Sequence, residues 1–182
     1  MLMSSLPQRF FSWAHQVLAS RETTGRVALL RRRIALKAVN RVVGLSVPFV
    51  RRNHFQVLAL HHGYLKAWIP VQGNRNHMGT IYAGALFMLA EVPGGVMALF
   101  EWGTDYVPVL KEMTMHYLKP ATSDVTVEFR LSDEEMLRIQ TIAKAQGKCE
   151  FTLQADLVDA KGVVVAKSEA HYQIRTRASL LL

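Results

Sequence analysis

Ile81 to Phe100 is a run of twenty residues with a single charge, Glu91, at its midpoint. Its length and apolarity imitate a membrane span. Yet a carboxylate at a bilayer centre costs roughly 2.5–3.5 kcal/mol on insertion scales, and Pro93-Gly94-Gly95 follows it and weakens a helix. A helix that is apolar on most sides because protein surrounds it accounts for both features. The chain must then supply that surround, so the flanking sequence decides the fold.

The flanks read as strands. Met113, Met115 and Tyr117 alternate with Glu112, Thr114 and His116, and Val125 to Leu131 alternate in the same way. Cys149 to Leu157 and Val164 to Arg175 repeat the pattern. Period-two alternation gives strands with one buried and one solvated face, hence an antiparallel sheet covered on one side. Before the long helix, Phe55–Leu60 and Leu65–Ile69 form a hairpin across His61-His62-Gly63, and Ser132-Asp133-Glu134-Glu135 is a capping box that opens a short helix ending near Gly147. The expected fold is α+β, with an antiparallel sheet wrapped around one long central helix. No internal repeat is present.

The charge divides the chain. Residues 1–53 carry ten Arg/Lys against the lone Glu22, whereas residues 54–182 carry twelve against thirteen Asp/Glu. We therefore read a basic helical arm, 1–47, and a near-neutral domain, 48–182. In the arm, Ser4-Ser5-Leu6-Pro7 signals a helix start, and Phe10, Trp13, Ala14 and Val17 share a face. A second helix spans about Thr24 to Val43, with Val27, Leu30, Ile34, Ala38 and Val42 on one side and Arg33, Lys37 and Arg41 on another. An apolar stripe beside a basic stripe suits a helix lying on an anionic membrane surface through residues 1–44; it also suits a helix packed on the body with a solvated cationic face. Nucleic-acid binding is not expected, because the arm has no reading motif. The single Cys149 excludes an intramolecular disulfide and fits a reducing, cytoplasmic setting. Residues 1–21 contain Arg and Ser and no acids, which leaves a mitochondrial matrix location open if the source is eukaryotic, although the amphipathic pattern continues into the second helix and favours the cytoplasmic reading. No secretory signal is expected.

The commoner catalytic signatures are missing. Gly44-Leu45-Ser46-Val47-Pro48 lacks the last Gly of a nucleophile elbow, no His pair has the helical spacing of a zinc site, and no Gly-rich phosphate loop occurs. Neither a metal nor a cofactor is expected, and Cys149 reads as a core thiol. The informative stretch is Asn74 to Glu91. A polar loop runs into a small-residue helix start, where unpaired backbone N–H groups can polarise a carbonyl oxygen. Glu91 follows about two turns along. A buried carboxylate has either a partner, such as a core His or Lys, or a task.

This stretch resembles the signature of hotdog-fold acyl-CoA thioesterases, particularly the phenylacetate-pathway type and its poorly characterised relatives. Those carry a loop Asn, a Gly-Thr step, a His-Gly-Gly that opens the central helix, and an acid further along it. Here Asn76, Gly79-Thr80, Tyr82-Ala83-Gly84 and Glu91 fall on these positions, and Met113–Leu118 leading into Lys119-Pro120-Ala121 resembles the family's strand ending in Pro-Ala. The resemblance covers about residues 48–177. Tyr82 stands where the family has His, Ala83 where it has the first Gly, and Leu110 beside Lys111 where some relatives supply Ser or Thr.

The resemblance implies a hotdog fold and hydrolysis of an acyl-CoA or acyl-carrier thioester. Glu91 would act as general base, or as the nucleophile, and the backbone N–H of Ala83 or Gly84 would bind the thioester oxygen. Asn76 would orient the water or the carboxylate, Tyr82 would shape the mouth, and Gly79, Thr80 and His77 would contact substrate. It further implies a homodimer or tetramer with the site between subunits. The replaced His and the missing hydroxyl leave open a different reading, a non-catalytic acyl- or lipid-binding module held at a membrane by the arm. A hotdog dehydratase is not expected, since its Asp and His spacing is absent.

Overall fold

The computed structural model describes residues 5–19 and 25–180. The elements, in chain order, are α1 (Ser5–Leu18), α2 (Arg26–Ser46), α3 (Pro48–Arg52), β1 (Gln56–His61), β2 (Tyr64–Ile69), α4 (Ala83–Trp102), β3 (Tyr106–Tyr117), β4 (Val125–Arg130), α5 (Asp133–Gln146), β5 (Lys148–Asp159) and β6 (Val164–Thr176), with a final 3-10 turn at Arg177–Leu180. The strands form one six-stranded sheet in the order β1-β2-β4-β5-β6-β3, and every pairing is antiparallel. The long helix lies against this sheet, as the alternating strands require. The start signal at Ser4 and the second-helix start at Thr24 lie outside the described residues.

Local chemistry explains several boundaries. The β1–β2 turn closes because Gly63 takes φ 66°, and a side chain there would strike the Leu131 carbonyl. Ser132 caps α5 by accepting from the Glu135 N–H at 3.2 Å, and Gly147 ends it in the left-handed conformation. β3 begins seven residues before the alternation at Met113 becomes visible. Its early part holds Pro108, which is tolerated because β3 is an edge strand. A bulge between Leu110 and Glu112 sets Lys111 out of register.

The Pro93-Gly94-Gly95 step does not end the helix, contrary to the weakening that it implies. α4 runs through it to Trp102 and stops at Gly103. Proline leaves the Leu89 carbonyl without its usual donor, but the sheet compensates next to it. The Tyr172 ring of β6 sits directly on Gly94, where any Cβ would overlap it, and its hydroxyl donates to the Glu91 carbonyl.

The arm helices share the core of the body. Ala14, Leu18, Ala35 and Val39 are fully buried within the same apolar cluster as Leu89 and Ile174. α2 therefore packs through Ala35 and Val39, while Val27, Leu30 and Ile34 face solvent. Arg32 reaches from the packed side to the Leu18 and Leu60 carbonyls. Asn40 bridges α2 to β1, taking the Val57 N–H at 2.7 Å and giving to the Val57 carbonyl at 2.9 Å.

Gly94→Ala should destabilise the protein by about 1–3 kcal/mol, the usual cost of overpacking. Gly95→Ala, with open space at its Cβ, should be neutral or stabilising by up to about 1 kcal/mol. Urea unfolding of the two variants checks the contrast.

Candidate active site

The loop before α4 is closed by its own hydrogen bonds. Asn76 Oδ1 accepts from the N–H groups of Met78 (2.9 Å) and Thr80 (3.2 Å), and its Nδ2 donates to Thr80 Oγ1 at 3.0 Å. Gly79 turns the chain at φ 79° and donates to the Asn76 carbonyl. The Ile81 N–H reaches the Ala121 carbonyl at 2.8 Å, which ties the helix start to the Pro120-Ala121 segment after β3. Asn76 is thus first a loop staple; one N–H of its amide is left for a ligand.

Tyr82 occupies the N-cap of α4 without a side-chain cap, and the N–H groups of Ala85 and Leu86 both donate to its carbonyl. Those of Ala83 and Gly84 precede the helical ladder, the position for binding an anionic oxygen. Gly84 has a steric reason as well: a Cβ there would lie 2.5 Å from the Tyr82 ring, which folds back over it. The Tyr117 hydroxyl donates to the Ala83 carbonyl at 3.2 Å. Asn76, Thr80, Ala83, Leu86 and Tyr117 line a cavity of about 270 Å³. His77 is exposed on the loop and does not line it.

Glu91 opens elsewhere. Together with Val92, Gly95, Val96 and Leu99 it forms one face of α4 that looks into a cavity of about 650 Å³. The opposite wall is the arm, with Phe10 and Phe11 from α1 and Val42 and Val43 from α2. Among the described residues, Glu91 is the only ionisable one in the lining, and Ser46 the only other polar one. The Glu91 carboxylate meets no hydrogen-bond or ion-pair partner among the described residues, and burial pushes its pKa above the ordinary carboxylate value. Of the two readings of this carboxylate, a pairing with a core His or Lys is therefore not made within the described part of one chain.

One chain thus holds the expected site in two pieces, the loop and helix start in one cavity and Glu91 in another. Seven or eight residues of helix separate Gly84 and Ala83 from Glu91, about 10–12 Å along the axis. At the place where the resemblance puts a hydroxyl in some relatives, Leu110 packs against the core, and Lys111 turns outward to pair with Glu150 at 3.0 Å. Neither supplies a hydroxyl. The arm's share of the Glu91 cavity had no signal in the sequence, because it arises from packing between distant segments.

A further polar group lies at the other end of α4. Glu101, its side chain only 4% exposed, accepts from His62 Nδ1 and from the Gly63 N–H, both at 2.8 Å, and His15 Nε2 lies 3.9 Å away. The three side chains offer ligand atoms within 4.8 Å of one another and so could hold a metal ion, a convergence that His spacing could not reveal. As it stands, the group is a hydrogen-bonded staple that joins α1, the β1–β2 turn and α4.

A family model described as a domain of unknown function, DUF4442, matches residues 36–174. A crystal structure of a Pseudomonas aeruginosa protein of unknown function, described as a probable thioesterase, is 39% identical, with a TM-score of 0.74 over 78% of this chain and 95% of that one. A Haemophilus influenzae thioesterase is 16% identical, with a TM-score of 0.62 over 78% of this chain and 90% of that one. A mutant thioesterase from Pseudomonas aeruginosa is 17% identical, with a TM-score of 0.61 over 86% and 97%. At such identities the last two establish the fold alone. No curated protein matches the chain.

Gly95 gives a test of the larger cavity. Gly95→Leu should fill it without unfolding the helix, since nothing lies within 4 Å of a Cβ at this position. Fluorescence titration with an apolar dye should then show binding weakened by about tenfold or more, at an unchanged or raised melting temperature.

Proposed function

The chain belongs to the DUF4442 family and has the hotdog fold, and from that premise we propose that it hydrolyses an acyl-CoA or acyl-carrier thioester with Glu91 as general base. The observation that carries this reading is the unpaired carboxylate of Glu91 in a largely apolar cavity. A base needs its ionised form, and a raised pKa brings proton affinity closer to neutral pH, where proton transfer is most effective. Water attacks the thioester carbonyl as Glu91 takes its proton. The oxyanion forms against the N–H groups of Ala83 or Gly84, and collapse expels the thiolate, which picks up a proton, and leaves a carboxylic acid.

We take this to be a two-chain site, as the resemblance implies, with the Ala83 and Gly84 N–H groups of one subunit serving Glu91 of another in a homodimer or a tetramer. The helix of about 10–12 Å between them in one chain, and the separate cavities that Ala83 and Glu91 line, support this reading. The free edge of β3, with exposed Val109, Tyr117 and Leu118, supports such pairing. Asn76 acts by holding the helix start in place and offers its remaining N–H to the substrate or water. Tyr82, 60% exposed, borders the entrance together with Thr80.

Glu91→Gln should lower hydrolysis by roughly 10²–10⁴-fold, the ordinary worth of a general base, as measured by free thiol released from a panel of acyl-CoAs. Retained binding with no turnover in the wild type would instead make the protein an acyl-binding module. The rate should rise with pH along a limb whose midpoint lies above 4.5, the usual carboxylate value. The sign for stability is the reverse. A carboxyl whose folded pKa exceeds its unfolded one favours folding only while protonated; that contribution is lost as pH rises through the window between the two values. At neutral pH Glu91→Gln should therefore melt at the same temperature as the wild type or a higher one.

A further inference from the structure

α2 presents to solvent what a packed helix ordinarily hides. Val27, Leu30, Ile34 and Leu45 lie within about 60° of one another around the axis and are 66%, 59%, 51% and 60% exposed. Arg26, Arg33 and Lys37 flank this seam on one side, Arg31 flanks it on the other, and Arg41 stands in line with it between Ile34 and Leu45; all five are exposed. The helix is already anchored to the body through its opposite face, Ala35 and Val39, so the seam is not a docking surface for the body. Residues 25–61 contain no Asp or Glu, so α2, α3 and β1 together form an acid-free surface.

We propose that this face of α2 docks on an anionic lipid bilayer. An aliphatic seam with cations on both flanks inserts its side chains among acyl tails while Arg and Lys meet the headgroup phosphates. A second copy of the chain fits less well, because face-to-face pairing would oppose five cations on each helix. Phosphate recognition by a nucleic acid would use the cations but leave the aliphatic seam in water. Position adds a functional consequence. Val42 and Val43 of α2, and Val47 just past its end, belong to the wall of the Glu91 cavity, and Val47 is 44% exposed. The docked helix would thus carry one wall of that cavity close to the interface where amphiphilic acyl thioesters partition. This consequence rests on the proposed hydrolysis; the docking itself does not.

The test uses the full chain with vesicles of phosphatidylcholine alone and with about 30 mol% phosphatidylglycerol. Flotation should recover the protein with the anionic vesicles at least about tenfold better than with the neutral ones, and raised salt should release it. The double variant Leu30→Glu/Ile34→Glu should lose this binding while its melting temperature and its hydrolysis of a short, water-soluble thioester stay unchanged. Lys37→Glu/Arg41→Glu, which leaves the aliphatic seam intact, should lose it as well. Failure of the wild type to float with anionic vesicles, or full binding by either double variant, would overturn the proposal. So would light scattering in which Leu30→Glu/Ile34→Glu halves the mass, which would make the seam a contact between copies, or binding to RNA in preference to vesicles. Loss of thioester turnover in the wild type with vesicle binding intact would remove the hydrolase reading and leave the docking standing.

Discussion

Thirteen of the twenty residues of α4 are buried, and a helix apolar on nearly every side can persist in water only if other elements enclose it. The sheet provides one side of the enclosure. The arm provides another, and this is why Ala14, Leu18, Ala35 and Val39 sit in the same core as the strands. A strongly basic segment can serve there because Arg26, Arg31, Arg33, Lys37 and Arg41 are exposed on α2, while Arg32 on its packed side is bonded to the Leu18 and Leu60 carbonyls. Glu91 faces a side of the helix where the enclosure is incomplete and a cavity remains.

Residue 91 is also where helix and sheet are pinned together. Pro93 removes a rung from the helical ladder, and Gly94 lets the Tyr172 ring come into contact with the backbone. From there the Tyr172 hydroxyl reaches the Glu91 carbonyl. The hydroxyl is buried and beside a carboxylate, so its own pKa is driven well up and it stays a donor at any physiological pH. The Pro-Gly-Gly step thus exchanges some intrinsic helix stability for a fixed backbone at the acid. Packing and site geometry meet at this contact.

The strands were legible because burial on one face imposes a period of two, and the capping box and the His62-Gly63 turn were legible because each is a local bonding pattern. The buried face of α2 was not. Apolar residues occur on two of its sides, and hydrophobicity favours Val27, Leu30 and Ile34 over Ala28 and Ala35. The body takes the side on which Ala35 lets α2 approach closely while Leu36, Val39 and Val43 pack against the core. The start of β3 was hidden for a related reason: Pro108 reads as a strand breaker until the strand is known to lie at an edge. At the site, the helix start, the loop Asn and the acid could be read from their spacing. Their separation along the axis follows from the rise of an α-helix, but their division between two cavities follows from what packs against each end. The arm's wall of the Glu91 cavity could not be read in this way.

That wall bears on how acyl preference and chemistry are related in this chain. The residues that would carry the reaction, Ala83, Gly84 and Glu91, lie within the family range of 36–174, as do Val42 and Val43. Phe10 and Phe11, which form the α1 part of the cavity, lie before it. If the cavity receives the acyl group, its depth is set in part by a segment outside the matched domain, held to α4 through Ala14 and Leu18 and through the Glu101–His62–His15 cluster. Substitution at Phe10 or Phe11 can then change which chain is accommodated without moving the base or the helix start. On the proposed function, α4 would then carry the base and one wall of the acyl cavity, while α1 and α2 supply the opposite wall through their packing on it.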